Sequence, residues 1–140
     1  MYIDSNVFIF AAINKDKKGE DCRNIIDLIN KNKINCAASY LVIDEVIWIL
    51  KKHVGKKNSI KITKAILSLP IKWIDIDKSV ILNMIHILEK TNLDTRDAIH
   101  LASMFKLGLS SIISEDIDFD KLEKIERFNS SKILKKYQKT

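Results

Sequence analysis

Four short stretches carry carboxylates that a folded chain could gather: Asp4 in "YIDSN", Asp44 and Glu45 in "VIDEV", Asp94 and Asp97 in "LDTRD", and Glu115, Asp116, Asp118 and Asp120 in "SEDIDFD". Carboxylates crowded into a partly desolvated cleft repel one another, so they must protonate, separate or share a cation. A cation held by oxygen ligands alone is hard, which means Mg²⁺ or Mn²⁺. Such an ion activates water and offsets the charge that builds on a phosphodiester during hydrolysis, in some sites as a pair about 3.5 to 4 Å apart. That chemistry needs no Ser or His nucleophile.

The elements that would position these acids can be read from periodicity. Short apolar or β-branched runs at 1–4, 34–38, 71–75, 110–114 and 124–128 read as strands. Helix-like stretches lie between them at 6–13, 20–32, 39–53, 58–69, 77–90 and 94–107, with Ser39 and Asp94 as N-caps and Gly55 and Gly108 as stops. Strands alternating with helices imply a parallel sheet with helices on both faces, in which ligands gather at the carboxyl ends of the strands. Asp4 ends the first strand and Asp116 follows the fourth. Crossover helices run back against the strands, so their first turns return to that edge, carrying Asp97 just after Asp94 and Glu45 two turns into the helix from Ser39. That helix, "SYLVIDEVIWILKKH", is apolar almost all round and reads as deeply packed. Asp44 and Glu45 both have apolar neighbours three and four residues away, so periodicity leaves open which of them points inward. Trp48 and Trp73, one in this helix and one in a strand, read as core residues rather than stacking platforms.

Bulk composition sets bounds on the rest. A chain of 140 residues with three Gly, one Pro and no internal repeat predicts one domain over 1–140, and 46% hydrophobic with 30% charged residues is a globular mixture. The formal charge of +6 favours polyanionic partners or substrates. Cys22 and Cys36 lack metal-ligand spacing and read as half-buried thiols. The apolar N-terminus is broken by Asp4 and Asn6 and no run reaches the ~18 apolar residues of a membrane span, so a cytoplasmic protein is expected.

"YIDSNVFIF", "SYLVIDEVIWIL", "LDTRDAIHLASMFKLG" and "ISEDIDFDKL", in this order and covering nearly the whole chain, resemble the PIN-domain ribonucleases and especially the VapC-type toxins of toxin–antitoxin pairs. The "DAIHLA" run from Asp97 is the most specific part. The resemblance implies a flavodoxin-like three-layer sandwich with strand order 3-2-1-4-5. It also implies a Mg²⁺- or Mn²⁺-dependent endoribonuclease leaving 5′-phosphate and 3′-hydroxyl ends, with Asp4, Glu45, Asp97 and Asp116 as catalytic acids. It thereby chooses Glu45 over Asp44. Asp4, Asp97 and Asp116 would hold metal, and Ser5, Asn6 and Ser114 match supporting polar positions. Asp118 is an auxiliary acid, and which of Asp116 and Asp118 is the main fourth acid stays open. Arg96 would meet substrate phosphate or an inhibitory partner's acid. A small antitoxin partner and a homodimer are implied as well.

Each feature also has an ordinary structural reading. Asp4 could cap the next helix, Asp97 could complete a capping box with Asp94, and residues 115–120 could form a solvated turn. His100 reads as a satisfied core or supporting His rather than a ligand. Lys51, Lys52, Lys56, Lys57, Lys61, Lys64 and the tail "KILKKYQK" are either solvated faces or a phosphate-contacting rim. Competing functions are a phosphatase with an Asp after the first strand, which lacks its second Asp because Asn6 stands there, and a metal-independent nuclease using His86 and His100. A catalytically inactive PIN-like RNA-binding or scaffold module is the third.

Overall fold

The computed structural model describes residues 1–138, so Lys139 of the basic tail and the end of the 1–140 span lie outside the described residues. Five strands, β1 (Tyr2–Ile3), β2 (Cys36–Ser39), β3 (Ile71–Ile74), β4 (Ser111–Ile113) and β5 (Glu126–Phe128), form one sheet in the order 3-2-1-4-5. Every pairing is parallel, with Tyr2 opposite both Ala37 and Ile112, and Ile3 opposite Ile113. β1 is thus the central strand, and chain order reverses beside it, where parallel sheets open a crevice.

Helices cover both faces. On one, α1 (Ser5–Ile13), α2 (Lys17–Asn30), α3 (Leu41–Leu67) and α6 (Ser130–Gln138) enclose a core that includes Ile3, Phe8, Ile25, Val46 and Leu50. On the other, α4 (Lys78–Lys90), α5 (Thr95–Lys106) and a 3₁₀ turn (Ile117–Lys121) enclose Tyr2, Ile74, Met104, Ile112 and Phe119. Successive residues of a strand point to opposite faces, which sends Ile3 into the first core and Tyr2 into the second. This α/β architecture with its strand order is the expected one.

Acidic caps start most helices. Asp4, Asp16, Asp77 and Asp94 each accept a backbone N–H from the helix they precede, and Asp116 does so for the 3₁₀ turn. Gly108 (φ 64°) follows the end of α5, and Gly55 (φ 82°, ψ 166°) breaks α3 internally, both in backbone that L side chains avoid.

Several expectations are corrected. Ser39 is not an N-cap: it pairs with Ile74 as the last residue of β2, and α3 begins at Leu41 without a side-chain cap. The α3 segment before Gly55 is not buried all round. It packs through Val42, Val46 and Leu50, each worth roughly 1.5–3 kcal/mol of burial, while Asp44 and Trp48 face solvent on the other side. Trp48 is therefore not core. Trp73 is half-buried and stacks on Tyr40 with ring centroids 5.7 Å apart. Both thiols are fully buried, and burial pushes Cys22 up to about 12 and Cys36 to about 11. α6 was not foreseen; it starts where Glu115 accepts the Ser130 N–H at 2.7 Å. Among the described residues, no helix is long and apolar enough to cross a membrane.

Candidate functional site

Asp4 sits immediately after the central strand, 5% exposed, and its carboxylate ties together two sheet strands and a helix. Oδ1 accepts the Ser5 N–H at 2.7 Å, while Oδ2 accepts the Ser114 hydroxyl at 2.6 Å and the Asn6 amide at 3.1 Å. Asn6 also donates to Ser114 Oγ at 3.1 Å and accepts the Glu115 N–H at 3.2 Å, so its amide pins the end of β1 to the end of β4. A carboxylate at position 6 could accept but not donate, and would set a second charge beside Asp4. Burial raises the Asp4 pKa, with His100 and the Ser114 hydroxyl pulling the other way.

Glu45 is the inward acid of α3 and Asp44 the exposed one. What selects Glu45 is His100, whose Nε2 lies 2.6 Å from Glu45 Oε1 and 3.8 Å from Asp4 Oδ1. His100 Nδ1 lies 2.7 Å from the Tyr2 hydroxyl, which donates to Ser39 Oγ at 2.9 Å and accepts the Ser39 N–H at 3.1 Å. Burial alone would lower the His100 pKa, but Tyr2, Glu45 and Asp4 outweigh it and hold the ring well above its ordinary value. With both nitrogens protonated, the ring donates to Tyr2 on one side and to Glu45 on the other. His100 thus bridges Tyr2 and Glu45, with Asp4 Oδ1 close by on the same side as Glu45. Tyr2 escaped sequence reasoning altogether, although its period-two relation to Asp4 places both on one side of β1.

The second group is more open. Asp97, Asp116 and Asp118 each bring a carboxylate oxygen within 4.8 Å of the others. Asp94, not Asp97, makes the cap, accepting the Arg96 and Asp97 N–H groups at 2.9 and 3.1 Å. Among the described residues the Asp97 carboxylate accepts no hydrogen bond, and burial together with Asp94, Asp116 and Asp4 pushes it up to about 7. Asp116 receives the Asp118 N–H at 2.9 Å, and its own N–H bonds Ser114 Oγ at 3.0 Å. Asp118 is exposed and paired with Lys121 at 3.1 Å. Asp97 and Asp118 border a cavity of about 510 Å³ whose wall also carries Lys90, Asn92 and Lys121.

Asp4, Glu45, Asp97 and Asp116 therefore meet at one sheet edge, as two adjoining groups that feel each other's charge. Glu115 is drawn away to α6 and Asp120 to Arg127, 2.8 Å distant, which removes them from the set. His86 is exposed on α4, 3.9 Å from Glu89, so a His86–His100 acid/base pair does not form. Oxygen donors in excess of nearby cations, one of them with its pKa pushed up to about 7 by burial and its acidic neighbours, fit a hard divalent ion.

No curated protein sequence matches this chain. By structure the chain is similar to the Mycobacterium tuberculosis VapC20 toxin, described as cleaving the sarcin–ricin loop, at TM-score 0.72 and 16% identity, covering 89% of this chain and 96% of that one. It is also similar to VapBC2 of Rickettsia felis bound to a promoter DNA fragment (TM-score 0.69, 15% identity, 91% and 96% covered) and to FitAcB of Neisseria gonorrhoeae (0.68, 13%, 93% and 97%). These likenesses are ones of fold. The family model of the PIN domain matches residues 1–125, nearly all of the strands, helices and acids described above, and the chain belongs to that family.

Proposed function

We propose that this protein is a metal-dependent endoribonuclease, the toxin half of a VapBC-type pair acting in the cytoplasm. The observation that carries the reading is the meeting of Asp4, Glu45, Asp97 and Asp116 at one edge of a basic protein. Asp4, Asp97 and Asp116 would hold the ion, with Asp118 beside them. Bound there, Mg²⁺ or Mn²⁺ supplies Lewis acidity to the phosphodiester and to the attacking water. The protein's own groups do the positioning. Ser5, Asn6 and Ser114 fix the Asp4 carboxylate, and His100 aims Glu45 while stabilising its charged form. Lys90 and Lys121 in the cavity wall, with Arg96 next to Asp97 in the first turn of α5, supply positive charge for the RNA backbone without reading sequence.

Partner surfaces are compatible with the same role. Phe8, Ala12, Ile26, Ile62 and Ile66 line an apolar groove of about 280 Å³ between α1, α2 and α3, suited to an antitoxin segment. Leu82 and Ile85 on α4, 57% and 45% exposed, offer apolar area for a homodimer.

Incubating purified protein with total RNA and Mn²⁺ or Mg²⁺ should give discrete cuts with 5′-phosphate ends that EDTA abolishes. Cleavage surviving in Asp4→Asn and Asp97→Asn proteins would overturn the assignment. RNA bound but never cut would favour an inactive RNA-binding module.

A further inference from the structure

Trp48 stands on α3 three residues after Glu45, one helical turn away, and is 51% exposed. A large indole left in water beside a polar site invites a partner, since the core face of that helix is already filled by Val42, Val46 and Leu50. Two cations attend the ring: Lys52 Nζ lies 3.3 Å from its centroid and the Arg96 guanidinium carbon 5.9 Å. Neither forms an ion pair with a carboxylate among the described residues, so both charges are free to meet an anion. Arg96 immediately precedes Asp97, which sets the ring between the acid-bearing turn of α3 and the first turn of α5.

Resting on the ribonuclease reading, we propose that Trp48, Arg96 and Lys52 form a stacking platform for one nucleobase of single-stranded RNA next to the phosphate to be cut. The indole supplies a flat apolar face on which any base can stack, and the two cations meet the flanking phosphates. The Lys52 ammonium covers the ring in the free protein, and a mobile four-carbon stem lets it give way to a base while keeping its charge nearby. An acidic peptide would satisfy the cations but leave the indole without a planar partner. RNA satisfies both. A base inside a duplex has its faces occupied by its neighbours, so the platform selects unpaired segments.

Fluorescence anisotropy with a fluorescein-labelled 12-nucleotide single-stranded RNA, on Asp97→Asn protein to suppress cutting, reads the effect directly. Trp48→Leu added to that protein should weaken binding about tenfold, whereas Trp48→Phe should stay within about threefold. An abasic substitution at one position of the RNA should cost a similar factor in the Trp48 protein and nothing further in the Trp48→Leu protein. In an otherwise wild-type background, Trp48→Leu should slow cleavage of single-stranded RNA while its thermal melting is unchanged, because the side chain is exposed. Equal binding and equal cleavage by Trp48→Leu and wild type would overturn the platform while leaving the nuclease standing. Absence of any RNA cleavage by wild type would remove the nuclease reading, and loss of the Trp48 effect on binding would separately remove the platform.

Discussion

The two halves of the acidic cluster differ in how their charge is settled. Asp4 and Glu45 are fixed by hydrogen bonds from Ser5, Asn6 and Ser114 and by the buried His100 ring, so the protein holds that half in place before any ion arrives. Asp97, Asp116 and Asp118 cluster where Asp97 and Asp118 border the cavity, Lys121 pairs with Asp118 alone among the three, and burial with the neighbouring acids pushes the Asp97 pKa up to about 7. One half is built to be rigid and the other to be filled. The difference teaches which substitutions should damage chemistry and which should damage the fold.

The largest effect is expected at Asp97. Asp97→Asn should lower RNA cleavage by at least about a hundredfold, since an amide neither binds a hard cation as well nor adds to its field. In metal-free protein the same change should stabilise. The folded-state pKa of about 7 lies above the ordinary 3.8, so the group's favourable contribution is complete below about pH 4 and is lost as pH rises through 7. At pH 8 the substitution should therefore raise the melting temperature by a few degrees, on the order of 1 kcal/mol once solvent screening of a half-exposed group is allowed for, and at pH 4 by almost nothing. A fall at pH 8 would break the comparison.

His100→Ala tests the other half and should carry the opposite sign. Removing the buried cation leaves Glu45, Asp4 and the Tyr2 hydroxyl without their shared partner, at a cost of about 3 kcal/mol in urea unfolding, with or without metal. Smaller than either is the pH response of metal binding. Because a proton must leave Asp97 before an ion enters, titration calorimetry with Mn²⁺ should show affinity falling about tenfold per pH unit below 7 and level above it, a slope that Asp97→Asn removes.

How far this division could be read from the chain varies by residue. The alternation of strands and helices is legible because parallel strands carry short apolar runs and acidic caps mark helix starts, as at Asp94, whereas the strand order follows only from the family resemblance. The choice between Asp44 and Glu45 was not legible from periodicity, since the deciding contact is His100, 55 residues away. Trp48 misled because the apolar content of α3 exceeds what its buried face can use. α6 was hidden by its lysines: only Ile133, Leu134 and Tyr137 face the core, and its start depends on Glu115 from another segment.

The smallest expected effect separates the two neighbouring acids of the open half. Asp116 is half-buried, tied through Ser114 Oγ to the carboxylate of Asp4, and adds to the charge that raises Asp97. Asp118 is exposed and already neutralised in part by Lys121. An ion placed among them gains more from the acid that is fixed and uncompensated, because an exposed ion pair contributes little and its loss is made up by water. Asp118→Asn should thus leave cleavage within about fivefold and stability within about 0.5 kcal/mol of wild type, whereas Asp116→Asn should approach the loss seen for Asp97→Asn. Parallel single-turnover cleavage assays on the two variants decide it, and equal losses would mean that the exposed acid ligates as strongly as the anchored one.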